Sequence, residues 1–150
     1  MKLKVWVFVV SLSLVSGLWA GEDIQAEKDA IKKVIQTAYI DGLCNTGDIA
    51  KIKNGFHPGF NLLGVRGPIL SVLPIYTWIE YVKMDKKKGK FPVKEKITAT
   101  FKFVDVTGNA AVAKIHYLKG GKHIYTDYLS LYKFPQGWRL VNKIYFKHVK

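Results

Sequence analysis

Cysteine is almost missing from this chain: Cys44 is the only one in 150 residues. No internal disulfide can form, so the fold must be held by packing, and Cys44 reads as a small packed side chain rather than a reactive thiol. Acidic residues are also scarce, 11 Asp and Glu against 24 Lys and Arg. Several chemical signatures are absent. There is no Gly-x-Ser-x-Gly elbow, no phosphate-binding glycine loop ahead of a helix and no dinucleotide fingerprint, so no cofactor is expected. His57, His116, His123 and His148 do not fall at metal-ligand spacings, which argues against a built-in metal site. His123 should sit opposite Leu118 across the Gly120-Gly121 turn, rather than opposite His116.

What is present begins with a targeting pattern. Lys2 and Lys4 form a basic start, Val5 to Val15 is apolar, and Ser16 to Ala20 ends in a small residue. Residues 1–20 therefore read as a secretory signal peptide cleaved after Ala20, with Gly17 as the alternative. The apolar run is short for a membrane span, and no lipobox cysteine follows it. The remaining residues 21–150 are one domain, secreted or periplasmic, long enough to bury a core. Export makes nucleic acid a poor partner in spite of the formal charge of +13. An acidic surface such as anionic lipid or polysaccharide, or an anionic ligand, suits it better, set against a basic face that is merely solvated.

Residues Glu22 to about Gly42 carry Ile31, Val34, Ile35, Ala38 and Tyr39 at helical spacing, with acidic residues toward the start and Gly42 as the stop. Asp48 is a predicted N-cap for a short helix through about Asn54. Asn61–Val65 and Ile69–Val72 suggest a hairpin around Arg66-Gly67-Pro68. Pro74 opens a third helix with Ile75, Trp78, Ile79 and Val82 on its inner stripe. Seven lysines between Lys83 and Lys96, with Gly89 and Pro92, read as a flexible basic connection and the place to hold an acidic partner. Ile97–Val106 and Ala110–Leu118 are strands joined by a three-residue loop, Thr107-Gly108-Asn109, that pairs Phe103 with Ala113, Phe101 with Ile115 and Ala99 with Tyr117.

The most informative stretch is Tyr125 to Tyr145, two long strands about Pro135-Gln136-Gly137. Strict alternation puts Asp127, Leu129 and Leu131 on the core face of the first, and Trp138, Leu140, Asn142 and Ile144 on that of the second. Lys143 then faces away. Helices first and an antiparallel meander of four strands after give an α+β fold, with the helices packed on one face of a curved sheet.

Several pieces, taken in order, resemble the nuclear-transport-factor-2-like superfamily, and within it the exported bacterial group labelled putative lumazine-binding. They are Tyr39-Ile40-Asp41-Gly42, Gly47-Asp48, Phe56-His57-Pro58, Gly108 to Lys114, Tyr125 to Leu131 and Trp138 to Ile144. The resemblance implies a cone-shaped, cystatin-like α+β domain enclosing a pocket, often in a homodimer that pairs through the sheet. Superfamily enzymes commonly place an Asp or an Asp–His pair in the cone, but no one enzyme's complete motif is matched.

Polar groups that can converge in such a pocket are Tyr39, His57, Trp78, Tyr81, Tyr117, Asp127 and Asn142. Asp127 is the sharpest candidate, since a desolvated carboxylate suits a general base, and His57 is its candidate catalytic partner. The plainer readings are a carboxylate satisfied by backbone or tyrosine hydroxyl bonds, and an imidazole bonded to the backbone at the Pro58 turn. Asn142 either orients a ligand carbonyl or ties neighbouring strands. Three functions are open: an exported domain binding a small, partly apolar ligand without catalysis, a proton-transfer isomerase or dehydratase using Asp127 and His57, or an accessory module for an acidic partner.

Overall fold

The computed structural model describes residues 16–148, with side chains from residue 23. Most of the predicted signal peptide, residues 1–15, lies outside the described residues. Helix α1 runs Ser16–Val34 and continues as a wider π-helical stretch, Ile35–Thr46. Gly42 therefore does not end the helix. Its missing side chain lets the next helix approach, because a Cβ there would sit 2.9 Å from Lys51 Cβ. The true stop is Gly47, left-handed at φ 60°, whose N–H bonds the Gly42 carbonyl. Asp48 caps α2 (Ile49–Gly55) as predicted, accepting from the amides of Ala50 and Lys51 at 3.0 and 3.1 Å.

Six strands follow or flank α3 (Ile75–Lys87): β1 Phe56–Arg66, β2 Ile69–Pro74, β3 Ile97–Thr107, β4 Ala110–Lys119, β5 Lys122–Phe134 and β6 Gly137–Lys147. They form one sheet in the order β2-β1-β6-β5-β4-β3. The predicted four-stranded meander is present, and the β1–β2 hairpin extends it through a parallel pairing of β1 with β6. The pattern of Phe56 to Gly59 reads as a break, yet it begins β1, because an extended chain leading into Pro58 is compatible with strand geometry.

The helices pack on one face of this sheet. Ile31, Ile35, Ala38, Tyr39 and Ile40 meet Ile97, Ala113, Ile115, Leu129, Leu131 and Leu140 in a single core. The segment after α3 is shorter than predicted, since Lys83 to Lys87 belong to the helix. It is also tied down, with Val93 N–H donating to the Asn45 carbonyl at 3.0 Å and Asn45 donating to and accepting from Ile97.

Bulges set which residues look inward. In β3 the pairing passes from Phe101↔Ile115 to Phe103↔Lys114, so Lys102 is the extra residue. The predicted pairs of Phe101 and Ala99 hold, but Phe103 turns out to solvent and Val104 takes its place opposite Ala113. The loop is the two-residue Gly108-Asn109, and the bulge allows it without sacrificing the inner face. In β6 the same device operates between Leu140 and Asn142, with Val141 the extra residue. Its consequences reach the site.

Candidate functional site

Beyond Val141 the faces of β6 are reversed relative to strict alternation. Trp138 and Leu140 are buried, then Lys143 is buried while Ile144 is half exposed. The expectation that Lys143 faces away is therefore corrected: it points into the fold, and Asn142 and Ile144 lie on the outer face. Asn142 donates to the Asn61 carbonyl at 3.1 Å, tying β6 to β1 rather than meeting a ligand.

Asp127, on β5, is wholly inaccessible at 0% exposure, and Lys143 reaches it with Nζ 2.8 Å from Oδ2. Tyr39, from the π-helical stretch, donates its hydroxyl to the same oxygen at 2.8 Å and accepts from Lys143 Nζ. A carboxylate buried among Leu129, Leu131 and Ile115 is costly unless paired, and here the pairing comes from a cation and a phenol together. The other oxygen, Oδ1, is buried without a hydrogen-bond partner. Burial pushes the Tyr39 hydroxyl well above the usual tyrosine range, with the Asp127 charge acting in the same direction, so Tyr39 stays a proton donor.

On the other side of Lys143 is a cavity of about 200 Å³, lined by Tyr39 and Cys44 of the π-helical stretch, Trp78 of α3 and, from the sheet, Leu62, Tyr117, Tyr125, Lys143 and Tyr145. The Lys143 ammonium lies 4.5 Å from the Tyr39 ring centroid, 5.6 Å from Tyr145 and 6.0 Å from Trp78. Asp127 does not reach the cavity wall; Lys143 stands between them. Burial raises the Tyr117 hydroxyl, helped by its neighbour Cys44, and pushes the Cys44 thiol up to about 12. No Asp or Glu lines this wall; its polar side chains are tyrosines, Trp78, Cys44 and Lys143.

Of the predicted site residues, Tyr39, Trp78 and Tyr117 line the cavity. Tyr81 lies on the exposed side of α3. His57 is not beside Asp127. Its ring stacks on Phe134 at 4.7 Å, and Nδ1 accepts from the Gly59 amide at 3.0 Å, the plainer of the two readings. Lys143, Tyr125 and Tyr145 also line the cavity, and strand alternation alone does not single them out. Tyr125 follows a further bulge at Ile124, where Tyr117↔Tyr125 passes to Leu118↔His123. His123 does face Leu118 as predicted, and its ring nonetheless stacks diagonally on His116 at 4.0 Å, on the outer face of the sheet. Among the described residues no cluster of three His, Cys, Asp or Glu is placed to hold a metal ion.

The fold is shared with solved structures. A nuclear-transport-factor-2-like protein of unknown function from Shewanella baltica superposes with a TM-score of 0.65 at 23% identity, over 84% of this chain and 97% of that one. One from Methylobacillus flagellatus gives 0.61 at 22% identity, over 93% and 100% of the two chains. A third, with a cystatin-like fold, from Novosphingobium aromaticivorans gives 0.62 at 14% identity over 90% of each. No curated protein matches the chain. Residues 26–146 match the model of the family described as "Putative lumazine-binding", and the chain belongs to that family.

Proposed function

We propose that this domain binds a small aromatic molecule in the Lys143 cavity and performs no chemistry on it. One observation carries the reading: an aromatic-walled hollow with a fixed donor in its wall, where a core of this kind would otherwise be filled with side chains. At about 200 Å³ it falls below the roughly 300–1,000 Å³ of drug-sized sites, so the occupant is about one or two rings. The family's description speaks for a flat ligand of this sort. A proton-transfer enzyme is the weaker reading. Its couple is missing, since His57 is engaged with Phe134 and Gly59, and the carboxylate lies behind an ammonium.

Titrating the isotopically labelled protein with toluene, a ring with no polar group, tests the reading by NMR. Shifts confined to Leu62, Trp78, Tyr117, Tyr125 and Tyr145 are expected. Absence of saturable shifts there, with toluene and with polar single-ring compounds alike, means that the hollow is no binding site.

The outer sheet face carries Val112, Tyr128, Tyr132, Ile144 and Phe146, each 41–62% exposed. In line with the homodimer implied by the family likeness, we place the pairing of two copies on this face. Light scattering on Tyr128→Lys, expected to be monomeric where the parent is dimeric, checks it.

A further inference from the structure

We propose that the cavity selects a single-ring aromatic compound that presents an sp2 oxygen, as a carboxylate or a carbonyl, to Lys143, and that it turns aromatic cations away. The inference rests on the pocket reading above and adds the chemistry of the ligand.

Aromatic boxes of tyrosine and tryptophan ordinarily recognise organic cations, because the ring faces attract positive charge. Here the box formed by Tyr39, Trp78 and Tyr145 already holds a cation, the protein's own Lys143 ammonium, at 4.5–6.0 Å from the three centroids. A second cation entering the same cavity meets a like charge with no acidic group on the wall to offset it. Asp127, 2.8 Å behind that ammonium, weakens the repulsion but offers an incoming cation no oxygen, since it is inaccessible and does not line the cavity.

An oxygen acceptor meets the opposite situation. The Lys143 side chain is 7% exposed, so its rotamer is fixed by packing before any ligand arrives. An ammonium has three N–H groups. The Tyr39 hydroxyl accepts one of them, Asp127 Oδ2 is the ion-pair partner at 2.8 Å, and the nitrogen has no further acceptor among the described residues. Tyr125 and Tyr145 stand on the same wall. Leu62 and the ring faces supply the apolar surround for a flat hydrocarbon body. Carboxylate and neutral carbonyl share this recognition; whether the ligand's charge matters depends on how far Asp127 cancels that of Lys143.

Isothermal titration of the full chain with benzoate, benzamide, benzylamine and toluene tests this. Benzoate, benzamide or both should bind about tenfold or more tighter than benzylamine and toluene, the increment expected of a hydrogen bond from a charged donor. The difference between benzoate and benzamide reports whether charge is read. Benzylamine or toluene binding as tightly as the better oxygen ligand overturns the inference while leaving the pocket reading intact. Failure of all four to bind removes both. Lys143→Met alone leaves Asp127 buried without its cation and is a poor folding risk, so the double variant Asp127→Leu/Lys143→Met is the control. It should keep toluene binding and lose the preference for oxygen ligands; a preference that survives in it means that Lys143 is not the reader.

Discussion

Lys143 Nζ and Asp127 Oδ2 lie 2.8 Å apart on adjacent strands, with both side chains almost completely removed from solvent. A buried pair is costly to assemble and far costlier to break, since deleting one partner strands the other's charge in the core. Lys143→Met and Asp127→Leu should each lower stability by about 3–5 kcal/mol. The double variant, with hydrophobic groups of similar volume, should lose much less than either single change. Urea unfolding of the four proteins forms the cycle. Additive losses would mean that the pair does not act as a unit.

This pair also shows where the sequence stops being readable. The chain order, the Asp48 cap, the long hairpin and the inward-facing Asp127 were legible, because each follows from a local pattern of period two or 3.6 or from a turn residue. The face of Lys143 was not. Alternation from Trp138 and Leu140 sends Asn142 and Ile144 inward, and the single extra residue at Val141 reverses that from Asn142 onward. Nothing local marks Val141 as a bulge. The available signal was indirect: with Val141 skipped, Lys143 comes to lie beside Asp127, giving the buried acid its cation. The same blindness misplaced Phe103 and hid Tyr145. The parallel pairing of β1 with β6 was equally out of reach, since it joins segments about 80 residues apart with no turn between them.

Leu62, on β1, is a partly buried residue of the cavity wall, so a larger side chain there is expected to fill the cavity. Leu62→Trp should abolish the binding of single-ring ligands with little loss of stability, within about 1 kcal/mol, because filling a hollow offsets the strain of a bulkier group. Titration and thermal melting of the same sample check both halves. Retained binding would place the ligand elsewhere.

Glu27 joins α1 to the final hairpin, with Oε1 2.5 Å from Lys133 Nζ and Oε2 2.5 Å from Trp138 Nε1. The Lys133 bond, then the Trp138 bond, holds its carboxyl below the usual glutamate range. Since the folded form favours the charged carboxylate, this contribution is present above the ordinary glutamate range and is lost as pH falls through the lowered value. Lys133 is half exposed and screened by water, so Glu27→Gln should cost only about 0.5–1 kcal/mol at pH 7. The gap between parent and variant should shrink in denaturation curves taken below about pH 4. A gap independent of pH would mean that shape, not charge, matters at this position.

Cys44 lines the cavity, yet its thiol should be inert. Burial raises it to about 12; the Asp127 charge pushes further in that direction, and Lys143 opposes it. Only the thiolate attacks an alkylating agent, and an ordinary cysteine near 8.5 supplies a substantial fraction of it at pH 8. In the folded protein that fraction falls by about three orders of magnitude. Iodoacetamide at pH 8 should therefore leave the intact mass unchanged over hours, while the same reagent in urea adds one carbamidomethyl group rapidly. Alkylation of the folded chain at the rate of a free thiol would show that Cys44 is neither desolvated nor held within this aromatic wall.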